Sequence, residues 1–333
     1  MTYPSFRFAR RLVVSGAALL AATAIAGSIY QQASRQADLR EIGPAGRIFT
    51  VSGAVMHLDC RGEGETTLLL EAGATGFAGS WTRIQEDLAI DVRVCSYDRA
   101  GLGWSDTASG DADAETTAAR LRELLDEAGE QGPFVLAGHS LGGPLALTFA
   151  AQNPEQVDGL ILIDPSHPDQ LDRFSPEIVD AFEGFRGMIP VAARLAPTGL
   201  LRLTNVFGRN ASDLPERAYR EAVRFGSDSR HLRQSGRELE AWDRTMDSAR
   251  NALGHLDPGL PVLVLSAEIW EGPDPELAIE TQLAMHREYA ARFDNGRHVV
   301  IPGSDHFSII MNRDHAGLTA AEIRRFLSER RFD

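Results

Sequence analysis

An α/β protein with a mostly parallel eight-stranded sheet is the fold class this sequence predicts. Three observations predict it. Short, nearly continuous apolar blocks recur, as in TTLLLEAG, PFVLAG, VDGLILIDP and LPVLVLSA; such blocks suit strands buried on both faces of a parallel sheet. Stretches with helical spacing lie between them, and strand–helix alternation is the pattern of a parallel sheet flanked by helices. One interval, residues 165–258, breaks the alternation with helical stretches alone.

The elements follow in order. The chain opens with Arg7, Arg10 and Arg11, then runs without charge from Leu12 to Ser34, 23 residues. A basic flank before an apolar run of that length reads as an uncleaved signal-anchor or a signal peptide over residues 1–34. The anchor is preferred. Cleavage near Ala24-Ile25-Ala26 is the alternative. The basic flank stays inside in either case, so the rest of the chain is expected outside the cytoplasm, as a single-pass, periplasmic-facing domain or as a soluble periplasmic or secreted one.

Residues 35–46 read as a polar linker. RIFTVSGAVMHLDCRG alternates and reads as a hairpin of two strands. TTLLLEAG is the third strand, WTRIQEDLA a short helix and VRVCSYDRAG the fourth strand. AETTAARLRELLDEAG is a helix closing on Gly129. PFVLAG is the fifth strand and GGPLALTFAAQN the helix after it. VDGLILIDP is the sixth strand. Residues 165–258 contain SPEIVDAFEGFRG and PERAYREAVRFG and are too long for a loop; they read as a helical cap over the sheet edge where ligands bind in open α/β folds. LPVLVLSA and RHVVIPG are the last two strands, and GLTAAEIRRFLSER is the closing amphipathic helix. The core is therefore expected over 47–164 and 259–333.

Composition sets limits. Of 333 residues, 43% are hydrophobic and 24% charged, with a net charge of −14 and all 33 basic residues Arg. An acidic chain argues against a nucleic-acid surface, which needs clustered cations. Cys60 and Cys95 are too few for a disulfide scaffold or a Cys-rich metal site. The sequence carries no P-loop, dinucleotide fingerprint or metal-ligand cluster, so neither cofactor nor metal is expected.

Gly138-His139-Ser140-Leu141-Gly142 fits G-x-S-x-G, a sharp strand-to-helix turn that exposes a strained serine. The strand before it and the helix after it supply the context the pattern needs. A nucleophilic serine needs a base, and His306, in IPGSDHF after the last strand, is the candidate. His298 opens that strand at its wrong end, and His315 lies towards the last helix. His139 is expected to point away from the tight turn.

Taken together these segments resemble the α/β-hydrolase superfamily, from about Arg47 to the C-terminus. The G-x-S-x-G turn matches, CSYDRAGLGWSD resembles the family's Asp-x-x-Gly-x-Gly-x-Ser loop, GLILIDP and PVLVLSA resemble its sixth and seventh strands, and GSDHF resembles its histidine loop. The resemblance implies an oxyanion hole built from the main-chain amides of Leu141 and Ala74, although Glu71-Ala72-Gly73-Ala74 has Ala where the family usually has His. It implies a carboxylate behind His306. Most relatives place that acid after strand seven, where this chain has SAEIWEGPD with Trp270 at the expected position; some place it after strand six. Asp164 is preferred, with Glu268 and Asp274 as alternatives. Asp305, adjacent to His306, points away from it. By family topology the second and fourth strands are neighbours, which makes a Cys60–Cys95 disulfide an expectation.

The resemblance implies a serine hydrolase that cleaves a small or medium lipophilic ester through an acyl-enzyme on Ser140. Other acyl chemistry on the same residues is the alternative: amide or lactone hydrolysis, acyl transfer or carbon–carbon bond hydrolysis. A hydrolase-like binding protein without catalysis is the third reading. Dehalogenases and epoxide hydrolases of the superfamily carry Asp in place of the serine, which disfavours those activities. A small-molecule ester and, through the N-terminal segment, a membrane are the partners expected.

Overall fold

The computed structural model describes residues 4–329. Eight strands form one sheet: β1 (Arg47–Val51), β2 (Ala54–Arg61), β3 (Thr67–Glu71), β4 (Arg93–Asp98), β5 (Phe134–His139), β6 (Val157–Ile163), β7 (Val262–Ala267) and β8 (Arg297–Ile301). Their order is β1-β2-β4-β3-β5-β6-β7-β8. Only β2 runs against its neighbours β1 and β4; the other pairings are parallel. The hairpin β1–β2 turns on Ser52-Gly53, both at positive φ, the two-residue turn whose twist matches that of paired strands.

The helices are α1 (Pro4–Glu41), α2 (Thr82–Leu88), α3 (Ala114–Ala128), α4 (Gly142–Gln152), α5 (Gln170–Arg173), α6 (Pro176–Leu195), α7 (Leu200–Thr204), α8 (Glu216–Phe225), α9 (Ser229–Glu240), α10 (Trp242–His255), α11 (Pro275–Ala291), α12 (Ser308–Met311) and α13 (Arg313–Glu329). Period-two alternation sorts the sheet's apolar side chains between two layers. Leu69, Leu136, Leu160, Leu162, Val262 and Val264 face α3, α4, α10 and α11. Leu68, Leu70, Val135, Ile161, Ile163, Leu263 and Leu265 face α2, α12 and α13. That two-sided burial is why these strands read as continuous apolar blocks rather than alternating ones. Local signals fix the ends of α3: the Asp113 side chain accepts from the Thr116 N–H at 3.0 Å, and Gly129 closes the helix at φ 76°; a side-chain N-cap and a left-handed C-terminal glycine are the expected stops.

Two features depart from the sequence reading. The apolar helix does not give way to a linker at residue 35. It continues to Glu41, because its second half has partners: Gln31 donates to the Ser227 carbonyl at 2.7 Å, and Asp38 pairs with Arg202 at 2.7 Å. The interval between β6 and β7 is helical, but its last helix, α10, lies in the core layer, with Ala249 and Ala252 packed beside α3 and α4. Its amphipathic pattern is that of any surface helix, so sequence alone could not separate core from insertion. The expected Cys60–Cys95 disulfide is present, the two residues being direct partners across β2 and β4.

Candidate active site

The C-terminal ends of the parallel strands converge on one rim of the sheet. Ser140 follows β5 directly and sits at φ 55°, a left-handed conformation that a β-carbon makes costly. The turn holds because its flanks are glycines in close contact: a Cβ on Gly138 would lie 2.2 Å from the Gly142 carbonyl oxygen, and one on Gly142 would lie 2.2 Å from the Glu71 oxygen. The backbone is tied to the next strand as well, with the Ser140 N–H donating to the Ile163 oxygen at 3.1 Å.

His306 lies on the loop after β8. Its Nδ1 is 2.6 Å from Asp164 Oδ2 and its Nε2 is 3.1 Å from Ser140 Oγ. A carboxylate only accepts, so Nδ1 carries the proton and Nε2 presents a lone pair to the serine hydroxyl. Asp164 follows β6 at φ 43°. Its second oxygen accepts from the Ala267 N–H at 2.9 Å and from Gln282 Nε2 at 2.6 Å. Burial alone raises a carboxyl pKa, but the hydrogen bond from His306, the imidazoles of His306 and His286 and the Ala267 N–H outweigh it; Asp164 is held well below the usual carboxylate range. The other two carboxylates are engaged elsewhere. Glu268 accepts from the Gly303 N–H at 2.7 Å, and Asp274 accepts from Ser175 Oγ at 3.0 Å. Asp305 accepts from the amides of Phe307 and Ser308, starting α12.

As the sequence suggests, the His139 side chain is directed elsewhere than the Ser140 hydroxyl. Its Nε2 donates to the His306 carbonyl at 2.7 Å, and the two rings lie 4.7 Å apart. Burial, then the neighbouring His306, pushes its pKa down to about 3, so it is a neutral brace for the loop carrying His306. His298 bonds Ser266 and His315 bonds Ser308; neither reaches Ser140. A proton chain lies beneath Asp164. His286 donates from Nε2 to the Pro165 oxygen at 2.9 Å, its Nδ1 accepts from Ser266 at 2.6 Å, and Ser266 accepts from His298 at 2.7 Å.

Leu141 follows Ser140 directly, and Ala74 lines the same cavity as Ser140. Among the described residues, the N–H of neither forms a hydrogen bond. The loop bearing Ala74 is fixed by Arg99, which sequence reasoning passed over. Buried Arg99 spends all five N–H groups: on Glu71 and the Ala72 oxygen, both at 2.6 Å, on the Gly73 oxygen at 2.9 Å, and on Glu238 of α9 at 2.9 and 2.8 Å. A planar five-donor fork suits such a site as no other side chain does. The only signal was its place in YDRAGLG, where a lone Arg looks like a surface charge.

Over this rim the insertion encloses a cavity of about 540 Å³ that reaches Ser140 and His306. Its walls are mainly apolar, with Phe77, Phe182, Phe207, Phe225, Trp242 and Trp270 among them. That size and character fit a small or medium apolar ligand.

A family model described as the alpha/beta hydrolase family matches residues 68–322. Among curated relatives, the 1-acylglycerol-3-phosphate O-acyltransferase ABHD5 of Rattus norvegicus is 32% identical over 151 residues, covering 43% of this chain and 42% of that protein. The 2-hydroxy-6-oxononadienedioate/2-hydroxy-6-oxononatrienedioate hydrolase of Comamonas testosteroni is 35% identical over 115 residues, 33% of this chain and 40% of that one. Three further curated relatives are matched over 34 to 59% of their length, so the chain spans well under two thirds of these proteins. A thermophilic esterase from Thermogutta terrifontis superposes with a TM-score of 0.56 at 24% identity, over 85% of this chain and 98% of that one; the likeness is one of fold. The match to the family model covers most of the chain, including the β5 turn, the β6 end and the histidine loop, and the chain belongs to the alpha/beta hydrolase family.

Proposed function

We propose that the protein is a serine hydrolase that cleaves a lipophilic carboxylic ester through an acyl-enzyme on Ser140. The observation that carries this reading is the unbroken hydrogen-bonded line from Ser140 Oγ to His306 Nε2 and from His306 Nδ1 to Asp164 Oδ2, at 3.1 and 2.6 Å. As Ser140 Oγ bonds to the ester carbonyl carbon, its proton passes to His306 Nε2, and the buried Asp164 carboxylate stabilises the imidazolium and fixes its tautomer. The tetrahedral oxyanion accepts from the Leu141 and Ala74 amides, each such donor typically worth about 3 kcal/mol. His306 returns the proton to the departing alkoxide, then takes one from water, whose oxygen attacks the acyl carbon and frees Ser140 and the acid.

Acyl transfer is the second reading, supported by the likeness to an acyltransferase: an alcohol replaces water in the last step and the residues keep their roles. A non-catalytic binding role would suit a chain whose serine lacked a base and an acid, and here both lie within hydrogen-bond reach.

The N-terminal helix is read as an uncleaved anchor. Its apolar part is long enough to cross a bilayer, and Ala24-Ile25-Ala26 lies inside a helix whose following residues pack onto the insertion. With Arg10 and Arg11 on the cytoplasmic side, the catalytic domain lies outside the cytoplasm.

A fluorophosphonate probe tests the enzyme reading. Labelling of the wild type but not of Ser140→Ala is expected; a folded wild type that stays unlabelled overturns it. A panel of p-nitrophenyl esters of increasing acyl length then defines the substrate, with kcat/KM expected to rise from acetate to medium chains.

A further inference from the structure

The face of the insertion beside α1 is apolar where a surface helix should be polar. On α6, Ile189, Ala192 and Ala193 are buried, while Met188, Val191 and Leu195, at i, i+3 and i+7, lie on the outer side and are 40 to 50% exposed. The stripe continues through Leu200 and Leu203 of α7, the latter 66% exposed. A stripe of this kind on the outer surface marks an interaction site rather than ordinary surface.

Charge and length say what covers it. Residues 184–212 contain four Arg and no Asp or Glu, within a chain of net charge −14; Arg186 pairs with Glu183 and Arg202 with Asp38, which leaves Arg194 and Arg209, without an ion pair among the described residues, as the free positive charge of the face. A basic, apolar surface in an acidic protein matches an anionic lipid surface. The position of α1 leads to the same partner. Its charge-free run begins at Leu12, but the helix already touches the insertion at Gly27, where a Cβ would lie 2.0 Å from the Thr198 carbonyl oxygen. Leu12 to Ala26 spans only about 22 Å at 1.5 Å per residue, against a hydrocarbon core of about 30 Å. The helix must sink roughly five residues further, to about Gln31, and those residues run alongside Ala196–Leu203. Buried contacts of Arg202 with Gln31 and Asp38 keep the two from parting.

We infer that the face formed by Met188, Val191, Leu195, Leu200 and Leu203 is seated in the headgroup and upper acyl region of the bilayer that α1 enters. Val206, next along the chain, is 45% exposed and also lines the cavity. The cavity wall therefore reaches the surface at the membrane side, and a lipophilic ester passes from the bilayer to Ser140 without crossing water. This rests on the reading of α1 as an anchor and not on the identity of the ester.

The full chain in vesicles of phosphatidylcholine with one fifth phosphatidylglycerol provides the test. Both native cysteines are in the disulfide, so Leu19→Cys, Leu203→Cys and Ile90→Cys each offer a single thiol for an environment-sensitive fluorophore; Ile90 lies at the opposite rim of the sheet. Lipid spin-labelled at acyl carbon 5 should quench the probes at 19 and 203, the latter at least threefold more than the probe at 90. Quenching at 19 with none at 203 beyond that at 90 overturns the inference and leaves the anchor standing. No quenching at 19 overturns both. The double substitution Leu195→Glu, Leu203→Glu should raise KM at least fivefold for a long-chain ester dissolved in the vesicles and leave kcat/KM for p-nitrophenyl acetate unchanged. Equal KM values for the vesicle ester overturn the inference while the hydrolase reading survives.

Discussion

Strands β6 and β7 lie side by side and deliver their ends to the same rim, yet they serve His306 differently. The end of β6 supplies Asp164, in a left-handed turn, with one oxygen 2.6 Å from the imidazole. The end of β7 supplies no carboxylate to it. It supplies the Ala267 N–H, which holds the other oxygen of Asp164, and its nearest acid, Glu268, is tied to the Gly303 amide. Ile163, the end of β6, stands opposite Leu265, and β7 runs on to Ala267, so the Ala267 N–H lies beside Asp164 and orients it. The chemistry requires a position on the rim, not a particular strand.

The sharpest way to break this comparison is Asp164→Asn. It removes the charge and favours the wrong imidazole tautomer, and kcat on a p-nitrophenyl ester should fall on the order of 10⁴-fold. Glu268→Gln and Asp274→Asn should each stay within about twofold; a loss at Glu268 comparable to that at Asp164 would transfer the acid to β7.

At the loop bearing Ala74, Arg99→Met leaves Glu71 and Glu238 buried without their cation. A loss of about 3–5 kcal/mol in unfolding free energy is expected, measurable by urea titration, and the surviving fold should show reduced kcat because the Ala74 loop is unbraced. Stability unchanged within 1 kcal/mol would show that the fork is dispensable.

A smaller effect sharpens the β6–β7 comparison. Adding Trp270→Asp to Asp164→Asn offers a carboxylate where relatives carry one and should recover about tenfold of the lost kcat. No recovery would mean that the β7 loop can no longer reach His306.

The smallest expected effect is on pH. His139 is neutral in the fold, its pKa pushed down to about 3, whereas the unfolded chain takes a proton near pH 6.5. The folded state thus loses stability as pH falls from about 6.5 towards 3. His139→Gln, which keeps a donor near the His306 carbonyl, should show a smaller drop in Tm between pH 7 and pH 5 than the wild type; an equal drop would assign the acid sensitivity to other groups.

Much of this architecture could be read along the chain. The central strands were legible because two-sided burial leaves continuous apolar runs, and β1 and β2 because their alternation marks a hairpin. Ser140 was legible because its turn admits only glycines at 138 and 142, and His306 because the last strand leads into its loop. What lay outside the reach of a linear reading is whatever depends on pairing across distance. Arg99 binds Glu238, 139 residues away. Helix α1 continues to Glu41 only because Arg202 and Ser227 meet it. Helix α10 joins the core although its pattern suits the insertion equally well.

The sequence by itself therefore determined the fold class, the strained serine and the basic flank of the apolar helix, since each depends on local sterics, burial periodicity or charge. Tertiary structure decided which carboxylate stands behind His306. Asp164, Glu268 and Asp274 are chemically equivalent on paper, and only the register of neighbouring strands and the turns after them places one oxygen at 2.6 Å from a nitrogen and the others out of reach.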